Sequence, residues 1–175
     1  MRVLGVDPGT IRTGWGVVER QGGRLIAIDA GVIRCRDADP LEVRLRRIHE
    51  GLAEVALRCL PTVVAVEDIF FAKHANAALK LGHARGVALL AAAQRDLEVH
   101  AYPPAVVKRS LVGRGAAEKE QVARLVAALL GIRDLPLDAT DALAVAITHL
   151  NAAQSPLAEL MRGATSRTAT MRRRR

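Results

Sequence analysis

Asp7 directly follows Val6 at the end of a short apolar run, MRVLGVD, and Glu67 closes another, VVAVE. Asp138 and Asp141 stand three apart at the start of an Ala-rich stretch, DATDALAVAITH. A helix there puts both on one face. Carboxylates gathered in one place repel, and they do not all ionise unless a cation neutralises them. An oxygen-only donor set without a Cys or His cluster suits a hard ion such as Mg²⁺ or Mn²⁺ rather than zinc. Two such ions about 3.5–4 Å apart can activate a water and stabilise the leaving oxygen in phosphodiester hydrolysis.

Each acid also has an ordinary explanation. Asp7 before Pro8-Gly9 is a good turn residue. Asp138-Ala-Thr-Asp141 reads as a helix N-cap followed by an acid three residues on, a pattern that common helix starts favour. Glu67 is the harder one to dismiss, because no propensity places a Glu at the end of an apolar strand.

The elements that must position these groups follow from punctuation and periodicity. Residues 1–7, 13–19 and 24–34 read as strands, and Gln21-Gly22-Gly23 makes a hairpin loop between the second and third. Leu41, Leu45, Ile48, Leu52 and Val55 recur at helical spacing over residues 41–59, and Pro61 ends that helix. Val63–Glu67 is a buried strand, 75–95 an Ala/Leu-rich helix, and 97–102 a fifth strand. Pro103-Pro104 opens a short helix, 118–130 is a helix stopped at Gly131, and 138–151 is the last one. Three strands joined by hairpin-type connections, then crossover units, predict a mixed five-stranded sheet with three antiparallel and then two parallel strands. Helices cover both faces. Parallel first and fourth strands would bring Asp7 and Glu67 out at one carboxyl edge, where open α/β sheets place their ligands.

The chain has 175 residues, half of them hydrophobic, which is enough for one domain with a substantial core. Only four residues are aromatic, Trp15, Phe70, Phe71 and Tyr102, so Val, Leu, Ile and Ala build that core. Cys35 and Cys59 cannot make a disulfide framework or a metal knuckle and read as small core residues in a reducing compartment. No apolar stretch approaches the roughly 20 residues of a membrane span, and the start lacks the pattern of a signal peptide, so a cytoplasmic location is expected. The formal net charge is +8. Most of the excess lies in residues 156–175, where six arginines face one glutamate in a segment too poor in apolar residues to fold. The expected division is a domain over 1–155 and a basic tail over 156–175. A basic balance attracts polyanions, nucleic acid first. No P-loop, no GxSxG elbow and no HExxH spacing is present.

Four stretches carry a more specific signal: GVDPGTIRTGWGVV, VAVEDIFFAKHANAALKLGHARGVAL, VKRSLVGRGAAEKEQV and DATDALAVAITH. In this order and spacing the sequence resembles the RuvC family of Holliday-junction resolvases over roughly residues 2–151. The resemblance implies an RNase H-like α/β fold, a homodimer, and Mg²⁺-dependent symmetric nicking of four-way junctions in recombination and repair, with the RuvA–RuvB branch-migration complex as partner. It places the family's acidic tetrad on Asp7, Glu67, Asp138 and Asp141, which would hold two Mg²⁺ ions, with Mn²⁺ as a substitute. The basic contacts near the scissile phosphate fall on Lys108 and Lys119, and the junction-wedging aromatic on Phe70. His74 stands where relatives often carry Asn.

The residues support this independently. Phe70 and Phe71 are half of all the aromatics and follow Glu67 closely. Such a ring can stack on an unpaired base, while Phe71 is expected to anchor the core. Lys73, His74, Lys108, Arg109, Arg114 and Lys119 are candidate phosphate contacts, with solvated surface charge as the plain alternative. The helix at 75–95 carries more apolar surface than one sheet face can cover, and a two-fold dimer would bury the rest. Rival readings are an RNase H-like nuclease acting on RNA or single strands, and a non-catalytic junction-binding module. An actin-like nucleotide hydrolase would need a second subdomain that this length does not accommodate.

Overall fold

Alternation of side chains along the strands sets the architecture. The computed structural model describes residues 1–68, 75–113 and 118–154. β1 (Arg2–Asp7), β2 (Arg12–Gln21) and β3 (Arg24–Arg34) form an antiparallel meander. Gly22 and Gly23, with φ of 51° and 85°, make the tight turn between β2 and β3, the backbone that a two-residue hairpin demands. α1 (Leu41–Cys59) then crosses over and returns the chain as β4 (Val63–Glu67), parallel to β1. α2 (Ala75–Ala93) does the same for β5 (Glu98–Tyr102), parallel to β4. The sheet order is β3-β2-β1-β4-β5. α3 (Pro104–Val112), α4 (Lys119–Leu130) and α5 (Leu137–Ala152) follow. The expected five-stranded mixed sheet, with helices on both faces, is the one observed.

Every second strand residue faces the same layer. Leu4, Val6, Trp15, Val17, Val64 and Val66 pack with Ile48, Leu52 and Val55 of α1 and Ala84, Ala88 and Ala91 of α2. Val3, Val18 and Ala65 face the opposite way and pack with Leu143 and Ile147 of α5, Val107 of α3 and Val126 of α4. Asp7 is in phase with Val3, and Glu67 with Ala65, so both carboxylates emerge on the α5 side. Cys35 and Cys59 are free thiols buried on the α1 face.

Several boundaries differ from expectation by one or two residues, and two of them have a physical reason. α2 ends at Ala93 rather than Arg95, because the chain turns through Asp96 at φ 53° to enter β5. α5 begins at Leu137, with Pro136 as its N-cap residue. Asp138 therefore lies inside the first turn, and α5 has no side-chain cap, which removes the capping explanation for that acid. None of the helices among the described residues is long and apolar enough to cross a membrane.

Candidate active site

The register of β1 against β4 places Val6 opposite Val66, so Asp7 and Glu67 are the next pair along two adjacent parallel strands. Their side chains hydrogen bond to each other. The turn beyond Asp7 is closed by Thr13, whose hydroxyl donates to the Gly9 carbonyl at 2.7 Å. Beyond Glu67, the Asp68 amide donates to the Tyr102 carbonyl at 2.9 Å, so the β4–β5 ladder runs on past the acid and holds its backbone. Arg85 of α2 ties down the same point through an ion pair with Asp68 at 3.2 Å.

Three glycines set the height of α5 over the sheet. A Cβ on Gly5 would lie 1.9 Å from the Ala142 carbonyl oxygen, and one on Gly14 would lie 1.9 Å from that of Asp138. One on Gly16 would meet the Leu143 side chain at 2.6 Å. No side chain separates the helix from the strands at these points. The direct backbone approach brings the first turns of α5, and with them Asp138 and Asp141, down to the end of β1. Sequence reading did not find this function, because a strand glycine by itself signals only a bulge or a close approach of unknown partner.

Burial and neighbouring charge then shape the acids. Desolvation comes first for Asp7, followed by the facing Glu67 and then Asp141, and together they hold its carboxyl far above the ordinary range. Glu67 is also pushed up, chiefly by burial, with Asp141 adding to it and Lys119 and Lys108 opposing. Each carboxyl is thereby biased towards its protonated form, and the two titrate as a pair. Lys119 Nζ sits 3.3 Å from Asp141 Oδ2, and that acid is the main reason its ammonium is held more firmly protonated than usual. Glu67, Lys108, Lys119 and Asp141 line a cleft of about 240 Å³ whose floor is Val107, Val122 and Ala144.

The expected residues are brought together unequally. Asp7 is bonded to Glu67, Asp141 acts on both through its charge, and Glu67 and Asp141 line the cleft together with Lys108 and Lys119. Asp138 is instead paired with Arg12, whose Nε lies 3.6 Å from Asp138 Oδ2. Among the described residues, no three His, Cys, Asp or Glu side chains converge as a ready-made ion cage, so Asp141 reaches the Asp7–Glu67 pair through its charge rather than by contact. Arg109 is exposed on α3, next in sequence to Lys108 but not in the cleft wall. Phe70, Phe71, Lys73, His74, Arg114 and the tail at 156–175 lie outside the described residues. Arg12 was not among the sequence candidates, since its partner is distant in the chain.

A family model described as crossover junction endodeoxyribonuclease RuvC matches residues 3–149. The chain belongs to the RuvC family. The RuvC of Citrifermentans bemidjiense is 48% identical over 154 residues, covering 87% of this chain and 94% of that one. The solved structure described as Thermus thermophilus RuvC in complex with Holliday junction substrate superposes with a TM-score of 0.83 at 39% identity, covering 88% of this chain and 95% of that one. The yeast mitochondrial Holliday junction resolvase Ydc2 matches at a TM-score of 0.61 and 12% identity over 85% of this chain and 77% of that one, a likeness of fold. The RuvC-type, RNase H-like sheet is thus the frame on which the acids sit, and its carboxyl edge is where β1, β4 and α5 meet.

Proposed function

We propose that this chain is a structure-selective endodeoxyribonuclease that resolves Holliday junctions by paired, symmetric nicks, in recombination and repair. The observation that carries the reading is that Glu67 and Asp141 line one cleft with Lys108 and Lys119, with Asp7 bonded to Glu67 at the adjacent strand end. The donor set fits a divalent ion. It is oxygen-only and largely buried, and burial, with neighbouring carboxylate charge adding to it, raises both Asp7 and Glu67 above the ordinary carboxyl range. Asp7, Glu67, Asp141 and Asp138 would hold Mg²⁺, with Mn²⁺ as a substitute and two ions per site. Bound there, such ions supply Lewis-acid polarisation of the phosphodiester and a water of lowered pKa.

The chain's own groups have distinct tasks. The two carboxyls at the strand ends fix where a reacting phosphate sits, because the sheet holds their backbones rigidly. Lys108 and Lys119 bring positive charge to the side of the cleft where negative charge builds up during cleavage. Lys119 is 69% exposed, so it can turn from Asp141 towards a phosphate. The hydrophobic floor keeps the lysines close to the acids while excluding bulk water below them.

Pairing of the nicks follows from a dimer formed through α2. Leu79 and Leu90 are 63% and 53% exposed, and with Leu45, Gly82, Gly86 and Val87 they line an open apolar groove of about 680 Å³. A second copy laid against it buries that surface and presents two sites to a two-fold substrate. Phe70 is proposed to stack on a displaced base at the branch point. Lys73, His74, Arg109, Arg114 and the tail at 156–175 would add contacts to the phosphate backbone. RuvA–RuvB would deliver the junction, in the cytoplasm. The deciding experiment incubates the chain and Mg²⁺ with four-way junction, linear duplex, single strands and RNA duplex. Paired nicks in the junction alone support the reading. Cleavage of RNA or single strands in preference would favour the RNase H-like alternative, and binding without cleavage a non-catalytic module.

A further inference from the structure

Arg12 stands at the first position of β2, immediately before Thr13, which closes the turn after Asp7. Its side chain is 56% exposed and touches Asp138 through Nε at 3.6 Å. Two positions along, Gly14 abuts the Asp138 carbonyl. The two backbones are therefore locked together, and only the side chains can change partners. A guanidinium carries five donors in a planar fork that matches a phosphate as well as a carboxylate. One long contact to Asp138 occupies a small part of that capacity. The rest is open to solvent beside Asp138, and Arg12 is not part of the cleft wall that holds Lys108 and Lys119.

Among the four acids, Asp138 is thereby set apart. Asp7, Glu67 and Asp141 act on one another and share Lys119, whereas Asp138 on α5 is paired with Arg12 of β2. A cation already seated on a carboxylate competes with any other cation for it. An anion that attracts the first cation relieves the competition.

We infer that Arg12 is a positioning residue shared between Asp138 and the backbone of the incoming DNA. A phosphodiester drawn to Arg12 takes the guanidinium from Asp138 and leaves that carboxylate free for the divalent ion. This rests on the metal-site reading proposed above. It makes DNA and metal assist each other's binding through one side chain, and by linkage the assistance is mutual. An exposed ion pair is weak, so the competition is worth about two- to fivefold in affinity.

The test measures Mn²⁺ binding to the full chain without DNA, from the free-ion electron paramagnetic resonance signal. Four proteins are compared: the unaltered chain, Arg12→Gln, Asp138→Asn and the double variant. Arg12→Gln should bind Mn²⁺ about two- to fivefold more tightly than the unaltered chain. The gain should vanish when Asp138 is already Asn. A gain that persists in the Asp138→Asn background is a general charge effect and overturns the inference, as does no gain or a loss. If the unaltered chain binds no Mn²⁺ at all, the metal-site reading falls and takes this one with it. The second measurement is junction affinity in chelator across a range of salt. Arg12→Gln should weaken binding and flatten the salt dependence by about one phosphate contact, with Arg12→Lys restoring the slope. An unchanged slope in Arg12→Gln removes the phosphate from the argument and overturns the sharing.

Discussion

Asp7 and Glu67 end two adjacent parallel strands, and their carboxyl groups hydrogen bond to each other across the gap. Two carboxyls can do so only with a proton between them, so folding raises the pair's affinity for a proton. Asp7 is pushed from an ordinary 3.8 up to about 8, by burial first and by Glu67 second. The sign follows. A carboxyl whose pKa is raised by folding leaves stability intact below about pH 4, and stability is lost as pH rises from there towards 8. Asp7→Asn removes that loss. It should abolish cleavage, keep junction binding, and raise the melting temperature by a few degrees, on the order of 1–3 kcal/mol. The gain should be larger at pH 8 than at pH 5. Single-turnover cleavage beside melts at the two pH values checks it. Normal cleavage by Asp7→Asn with Mg²⁺ present would sink the acidic site.

Gly14→Ala tests whether the height of α5 matters. The added methyl meets the Asp138 carbonyl at 1.9 Å, and backbone on both sides leaves no rotamer to yield. α5 must lift at its first turn, which carries Asp138 and Asp141 away from Asp7. The expected cost is about 1–3 kcal/mol of stability, with cleavage falling much further than junction affinity. Gly16→Ala meets the buried Leu143 side chain instead, at 2.6 Å from Cγ and Cδ2, and because a side chain can repack where a carbonyl cannot it should be milder on both counts. Equal effects from the two substitutions, at a temperature where both are folded, would show that the contact at Asp138 has no special role.

Most of the frame was legible in the sequence. Strand ends were marked by Pro8-Gly9 and Gly22-Gly23, and the helix at 41–59 by five apolar residues on one stripe, so those elements fall where expected. The mixed sheet followed from their order. The convergence of Asp7, Glu67 and Asp141 was legible too, because each closes a strand or opens a helix at the same edge. What was not legible depends on contacts between distant segments. The Arg12–Asp138 pair joins β2 to α5, and neither residue has a local feature that names the other. Asp138 itself was readable as a cap until Pro136 was seen to occupy that place. Gly5, Gly14 and Gly16 look like weak points in strands, and only the helix lying on them shows their use.

The groove on α2 leads to a prediction about assembly. Leu79→Glu places a charge in the centre of the exposed apolar stripe, on a residue that supports no core of its own. Folding should be kept, with a melting temperature change of a few degrees at most. Sedimentation should shift from dimer to monomer, and cleavage products from paired nicks to single, independent ones. A Leu79→Glu protein that stays dimeric and still nicks in pairs would place the dimer contact elsewhere.

The last prediction concerns acid stability and uses a cluster away from the cleft. The Tyr102 hydroxyl lies 2.8 Å from His149 Nδ1, the His100 and His149 rings are 4.5 Å apart, and His100 Nε2 meets Glu98 Oε1 at 2.9 Å. Burial, with the neighbouring His100 adding to it, lowers His149 from 6.5 to about 4. A neutral ring with Nδ1 unprotonated accepts the tyrosine hydrogen, and protonation would make Nδ1 a donor, so that the hydroxyl has to turn and accept. For a histidine whose pKa is depressed by folding, stability is complete above about 6.5 and is lost as pH falls through the window down to 4. The carboxyl pair at Asp7 and Glu67 acts with the opposite sign across part of that window, so the measurement belongs in the Asp7→Asn background. There, His149→Gln keeps an acceptor for Tyr102 and cannot titrate. Its melting temperature should fall less between pH 6.5 and 4 than that of Asp7→Asn alone, by a few degrees, on the order of 1–2 kcal/mol. At pH 7.5 the two proteins should differ little beyond the packing cost of the exchange. Parallel pH profiles would mean that His149 titrates in the fold as it does in the unfolded chain, and that its burial between Tyr102 and His100 carries no proton linkage.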